Sequence, residues 1–231
     1  MVIRHAFFLA ALSALPAHAS PWGQGEGEIY ARVAAFQGDV EGLSSSRLDL
    51  YAERGFGAGW TATAKYERVS FAGYDEFAAN GWRLTGRRSY QLSEKLVASI
   101  EGGVLEGEAI GGAAGCQSIG VEARTGLGRS FQTGKKRPRN AFWFLEGAMR
   151  AHDDGCQRFR IEAGYGREMI KNGWAITQLW VDQGSENAAS QKYQVEYLWR
   201  TPVGDLSAGS QIELGGAFEE TSVFVALARR F

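Results

Sequence analysis

From Glu28 to the last residue the chain alternates apolar and polar positions with a period of two, in segment after segment. Glu28 to Gln37 places Ile29, Ala31, Val33 and Ala35 on one face and Glu28, Tyr30 and Arg32 on the other, as an extended strand requires. Arg47 to Arg54 sets Leu48, Leu50 and Ala52 against Arg47, Asp49, Tyr51 and Glu53. Trp60 to Arg68 sets Trp60, Ala62, Ala64 and Tyr66 against Thr61, Thr63, Lys65 and Glu67. The polar face then carries Arg83, Thr85, Arg87 and Ser89 in Trp82 to Tyr90, and Ser99 and Glu101 in Leu96 to Leu105. It carries Glu122 and Arg124 from Ile119 to Leu127, Glu146 and Arg150 in Ala141 to Arg150, and Arg158, Arg160 and Glu162 in Gln157 to Glu168. Trp174 to Val181 is a strand of unclear parity, and Lys192 to Arg200 turns Tyr193, Val195, Tyr197 and Trp199 to the apolar side. Leu206 to Gly215 and Thr221 to Phe231 complete about twelve strands; ten or fourteen would fit the spacing less well.

Between these segments the sequence predicts compact turns around Gly57, Ser93, Asn172-Gly173 and Pro202. Longer loops are expected over Gly38 to Ser46, Ser70 to Ala79, Glu106 to Gly115 and Gly184 to Gln191. With an even strand number both termini share one end, and the compact turns all fall at that end. The basic connection around Gln132 to Asn140 is the exception.

No run of 18 apolar residues follows the first segment, so the chain has no transmembrane-helix signal. Glycine is abundant (31) and proline scarce (4), and aromatic residues make up 12% of a chain whose mean hydropathy is polar, −0.24. Apolar residues dispersed in alternation, rather than gathered into runs, suit a barrel with lipid outside and polar groups inside. Met1 to Ser20 has a basic start with Arg4, an apolar run from Ala6 to Leu15 and the small-residue site Ala17-His18-Ala19, which is the layout of a cleaved export signal. The expected division is therefore residues 1–19 as signal peptide and 20–231 as one barrel domain.

The final stretch, T-S-V-F-V-A-L-A-R-R-F, puts Val223, Val225, Leu227 and Phe231 on one face. It resembles the closing strand of Gram-negative outer-membrane β-barrels. That resemblance implies a single all-β, transmembrane, antiparallel up-and-down barrel in the cell outer membrane. It also implies contact with lipid and lipopolysaccharide, and a terminal Phe231 read by the barrel assembly machinery. Arg229 departs from the pattern on the outer face, where it is expected to snorkel.

The polar face carries the candidate chemistry. Arg47, Asp49, Lys65, Arg83, Arg87, Glu101, Glu122, Arg124, Glu146, Arg150, Arg158, Arg160 and Glu162 would point into the lumen. Their signs balance, which suits a small, weakly selective channel for small or linear polar solutes, or else a structural barrel closed by its own ion pairs with loops that bind a partner or glycan. A third reading is a lipid-modifying hydrolase that uses His152, the one histidine beyond the signal, with Asp153 or Asp154 and a serine such as Ser118 or Ser185. No spacing selects such a triad, and neither a catalytic set nor a cofactor or metal site is assigned. The chain has a net charge of −1 and no basic aromatic face, which excludes nucleic acid as an expected partner. Cys116 and Cys156 of an exported chain are expected to form a disulfide above the barrel.

Overall fold

The computed structural model describes residues 21–107, 116–185, 189–215 and 219–231; the segment expected to be an export signal lies outside them. Among the described residues twelve strands run in order: β1 (Ile29–Val40), β2 (Leu43–Gly57), β3 (Trp60–Phe71), β4 (Ala79–Ser93), β5 (Leu96–Gly107) and β6 (Ile119–Thr133), then β7 (Arg139–His152), β8 (Gln157–Ile170), β9 (Gly173–Gly184), β10 (Ser190–Thr201), β11 (Gly204–Leu214) and β12 (Glu220–Arg230). Each pairs antiparallel with its sequence neighbours, and β12 pairs with β1 to close the barrel. Phe231 completes that seam: its N–H donates to the Ile29 carbonyl (2.9 Å) and its own carbonyl accepts the Ile29 N–H (3.1 Å).

The burial pattern is inverted relative to a soluble protein. Val33, Leu84, Ile100, Val121, Leu145, Val195 and Val225 are 48–63% exposed around the outer wall, a continuous apolar belt far larger than any water-facing patch would tolerate. Glu162, Arg87 and Glu220 are among the most completely buried side chains. Phe56, Trp60, Tyr90, Trp199 and Phe231 ring the end that carries the termini, with Tyr66 and Tyr193 toward the other. Such amphipathic rings favour headgroup depth. Arg229 is exposed on this rim and stacks on the Phe231 ring (5.1 Å).

The termini share one end with the two-residue turns Ala58-Gly59, Glu94-Lys95, Lys171-Asn172 and Pro202-Val203. This is the turn end, which also carries the longer basic β6–β7 connection of residues 134–138, as expected; the other connections lie at the opposite, loop end. The strands run past their expected ends, β4 over Ala79–Ser93 rather than Trp82 to Tyr90 and β6 to Thr133 rather than Leu127, and two turns differ from the sequence expectation. Gly38 to Ser46 is not a loop: β1 and β2 continue to a tight turn at Glu41 and Gly42, whose φ values of 51° and 84° suit the twist of a two-residue hairpin. Its polar residues read as loop because this hairpin stands beyond the apolar belt. There Gln37 bonds Ser44 (3.1 Å) and Asp39 accepts the Gly42 N–H (2.9 Å). At the other end the tight turn is Lys171-Asn172 rather than Asn172-Gly173, with Asn172 taking the positive φ of 66°.

At the loop end Cys116 and Cys156 are joined as a disulfide with Cα atoms 5.4 Å apart. The loop Asp153 to Cys156 leans over the end of β7 to make this possible. Gly111, Gly112 and Gly115, which precede Cys116 in the chain, fall outside the described residues.

Candidate functional site

Alternation on strands too polar to face lipid leaves one destination for the charges, the barrel interior. There they link neighbouring strands and also strands two apart. Arg87 of β4 reaches past β3 to Glu53 of β2, and on its other side meets Glu101 of β5 (3.7 Å). Thr85 donates to Glu101 (2.5 Å) and Tyr51 to Glu53 (2.6 Å), so the same two carboxylates are held by hydroxyls as well. Arg83 reaches past β5 to Glu122 (3.0 Å), which also holds Arg150 (2.5 Å). Arg124 binds three carboxylates, Glu122 (3.3 Å), Glu146 (2.9 Å) and Glu162 (3.3 Å). Glu146 and Glu162 stand directly opposite in the β7–β8 register, a like-charge pair that is unfavourable unless a cation sits between them.

Toward the loop end, Arg47 bonds Glu220 (3.1 Å) across β1 and lies over the Phe36 ring (4.1 Å). Lys65 bridges Asp49 (3.6 Å) and Glu67 (2.7 Å), and Asp182 takes both Arg158 (3.2 Å) and Arg160 (2.8 Å). Every inward charge named from the sequence is therefore inside the barrel. Arg32, which bonds Glu196 (3.5 Å), and Asp182, Lys192 and Glu220 are inward charges that were not singled out. The parity of β9 was hidden because its inward face mixes Trp174, Ile176 and Trp180 with Gln178 and Asp182. Between the charged walls, a cavity of about 70 Å³ is lined by Phe36, Arg47, Asp49, Lys65, Arg83, Arg150 and Trp180. That is room for a few waters.

The turn end of the lumen is built differently. Phe142, Phe144, Trp174, Ile176 and Leu198 form an inward apolar cluster. Gly164 and Gly166, paired with Phe144 and Phe142 across β7–β8, leave space for those rings to lie along the wall. Into this end folds the segment before β1. Pro21 is fully buried, and Trp22 packs edge-on against Phe142, with centroids 6.1 Å apart. Ser89 Oγ donates to the Pro21 carbonyl (2.7 Å), the Gln24 N–H donates to Thr61 Oγ1 (3.0 Å), and the Gln24 amide donates to Glu53. Arg200 sits at this end over the Trp174 ring (5.2 Å) rather than in the charged lattice.

His152 is buried at the loop end with Nδ1 2.8 Å from the Ser118 carbonyl oxygen. That contact uses Nδ1 as donor to backbone and not to a carboxylate. Ser118 Oγ instead accepts the Asp154 N–H (3.4 Å), and Ser185 Oγ accepts the Gln157 N–H (3.0 Å). Asp154 caps its own turn by accepting the Cys156 N–H (2.9 Å), and this bond, followed by Ser118, holds its carboxyl below the usual range. The expected His, Ser and Asp thus come together in one loop cluster, but among the described residues no hydroxyl is placed against the His152 imidazole. Among the described residues no three His, Cys, Asp or Glu side chains group as a metal site.

The architecture defines a class, the closed antiparallel outer-membrane β-barrels, and solved structures of a channel and porins resemble it in fold. An outer-membrane channel from Pseudomonas putida F1 is similar with TM-score 0.59 and 11% identity, over 93% of this chain and 99% of that one. The NanC porin is similar with TM-score 0.59 and 10% identity, over 84% and 98%. The KdgM porin in complex with disordered oligogalacturonate follows at TM-score 0.50 and 8% identity, over 85% and 98%. At these identities the likeness is one of fold. No protein-family model matches the sequence, and no curated protein matches it. The protein is an outer-membrane β-barrel.

Proposed function

We propose that this barrel is a small, passive, weakly selective pore for small or linear polar solutes. One observation carries the reading: the lumen wall from the loop end to mid-barrel carries a lattice of both charge signs, interrupted at the β1–β12 seam by Ala34, Phe36, Phe224 and Ala226. A barrel with no transport role could fill its interior with apolar side chains at lower desolvation cost. Balanced charge gives a solute polar contacts at each level without rejecting either sign of ion. The cavity between the charged walls has room for only a few waters, so passage of a solute requires the flexible arginine and lysine side chains lining it to swing aside. Similar folds in channels and porins support the reading. Lipopolysaccharide around the outer rim, and an assembly machinery that reads Phe231, are the partners proposed with it. The test is conductance of the refolded protein in a planar bilayer, with reversal potentials in a salt gradient. Small conductance with a cation-to-anion permeability ratio near one is expected, and a strongly selective current would refute the balanced-lumen argument.

A second reading, a closed structural barrel, is favoured by the near-complete burial of Arg87, Arg124, Glu122 and Glu162. It predicts no current in the wild type and current after an inward charge pair is removed.

A further inference from the structure

We infer that residues 21–26 are a detachable plug that gates the turn end of the lumen, an inference that rests on the pore reading. The segment is held as a seated part and not as a stray lead-in. Its backbone is bonded to one wall of the lumen, through Thr61 of β3 and Ser89 of the neighbouring β4. Its ring, Trp22, fills the apolar cluster on the opposite wall. The wall is cut to receive it. A Cβ at Gly128 of β6 would lie 2.5 Å from the Pro21 and Trp22 rings, and one at Gly55 of β2 would collide with the backbone carbonyls of Gln24 and Gly25.

The attachment is also one that can be released. It has no ladder pairing with any strand, and its covalent tether, Glu26 to Glu28, includes Gly27 at a φ of 77°, a backbone state that glycine adopts without strain. Release leaves the wall hydrogen bonds of β1 through β12 untouched. Gln24 links the plug to the charged lattice through Glu53, the partner of Arg87. Undocking therefore removes one donor from a lattice carboxylate, which Arg87 and Tyr51 continue to hold, at the same moment that it empties the turn end.

The experiment compares single-channel records of three refolded proteins in planar bilayers in potassium chloride: wild type, a variant lacking residues 21–26, and Trp22→Ala. Heat-modifiable gel migration confirms that each has folded. The deletion is expected to raise the fraction of time spent conducting at least tenfold, equal to about 1.4 kcal/mol of docking free energy. Trp22→Ala, which keeps the backbone bonds, is expected to fall between the two and covers the case in which the deletion fails to assemble. Equal conduction by all three overturns the gate while leaving the pore reading intact. Absence of current from all three overturns both.

Discussion

The sharpest quantitative test of the lumen is Arg124→Met. Arg124 is the cation between Glu146 and Glu162, each about 2% exposed at its side chain, while the arginine side chain is 3% exposed. Glu122 keeps Arg83 and Arg150 when Arg124 is lost, but Glu146 and Glu162 lose the ion pairs that hold them, at 2.9 and 3.3 Å. Methionine fills a similar volume, so the cost is electrostatic and not a cavity. Removing one partner of a buried pair costs about 3–5 kcal/mol, because the remaining charge is left uncompensated. With two carboxylates facing one another, the upper part of that range is expected. Urea titration of the protein in lipid vesicles, read by gel mobility of the folded form, measures it. The triple variant Arg124→Met, Glu146→Gln, Glu162→Gln removes the stranded charges and should recover most of the loss. A cost below about 1 kcal/mol, or no recovery in the triple variant, would refute the reasoning, since it would mean that water screens the site as it does a surface pair.

Three further outcomes are expected. Arg160→Glu sets a new carboxylate against Asp182, the residue it now binds at 2.8 Å, and should move the reversal potential toward cation selectivity; an unchanged potential would place this pair off the solute path. Replacing Cys116 and Cys156 with serine opens a loop of 40 residues and should cost up to about 4 kcal/mol in the chain-entropy account. Thiol labelling of intact cells, with and without reductant, checks the bridge and its exposure at the outer surface. Deleting Phe231 removes both hydrogen bonds to Ile29 and should lower the yield of assembled barrel far more than Val203→Ser in an exposed turn does; equal yields would end its proposed role as an assembly signal.

The strand pattern made the barrel legible because lipid and lumen impose opposite demands on successive residues, so each strand carries its own orientation. Arg47, Asp49 and Glu53 could be placed inside from β2 alone. What one strand could not show was which charges meet, because many partners sit two strands apart and depend on barrel curvature. Arg83 with Glu122, and Arg124 with Glu162, are examples. Asp182 was missed because β9 turns apolar residues inward at one end and a charge at the other.

The plug was the least legible part, since Pro21 to Glu26 has no periodicity and reads as a glycine-rich approach to β1. Its signal lies instead in the wall. The inward row of β6 runs Glu122, Arg124, Gly126, Gly128, and that of β2 runs Tyr51, Glu53, Gly55, so side chains disappear from both rows on approaching the turn end. A wall that thins inward at one level on separate strands has made room for something at that level. In a barrel this narrow, the chain's own lead-in is near enough to fill it.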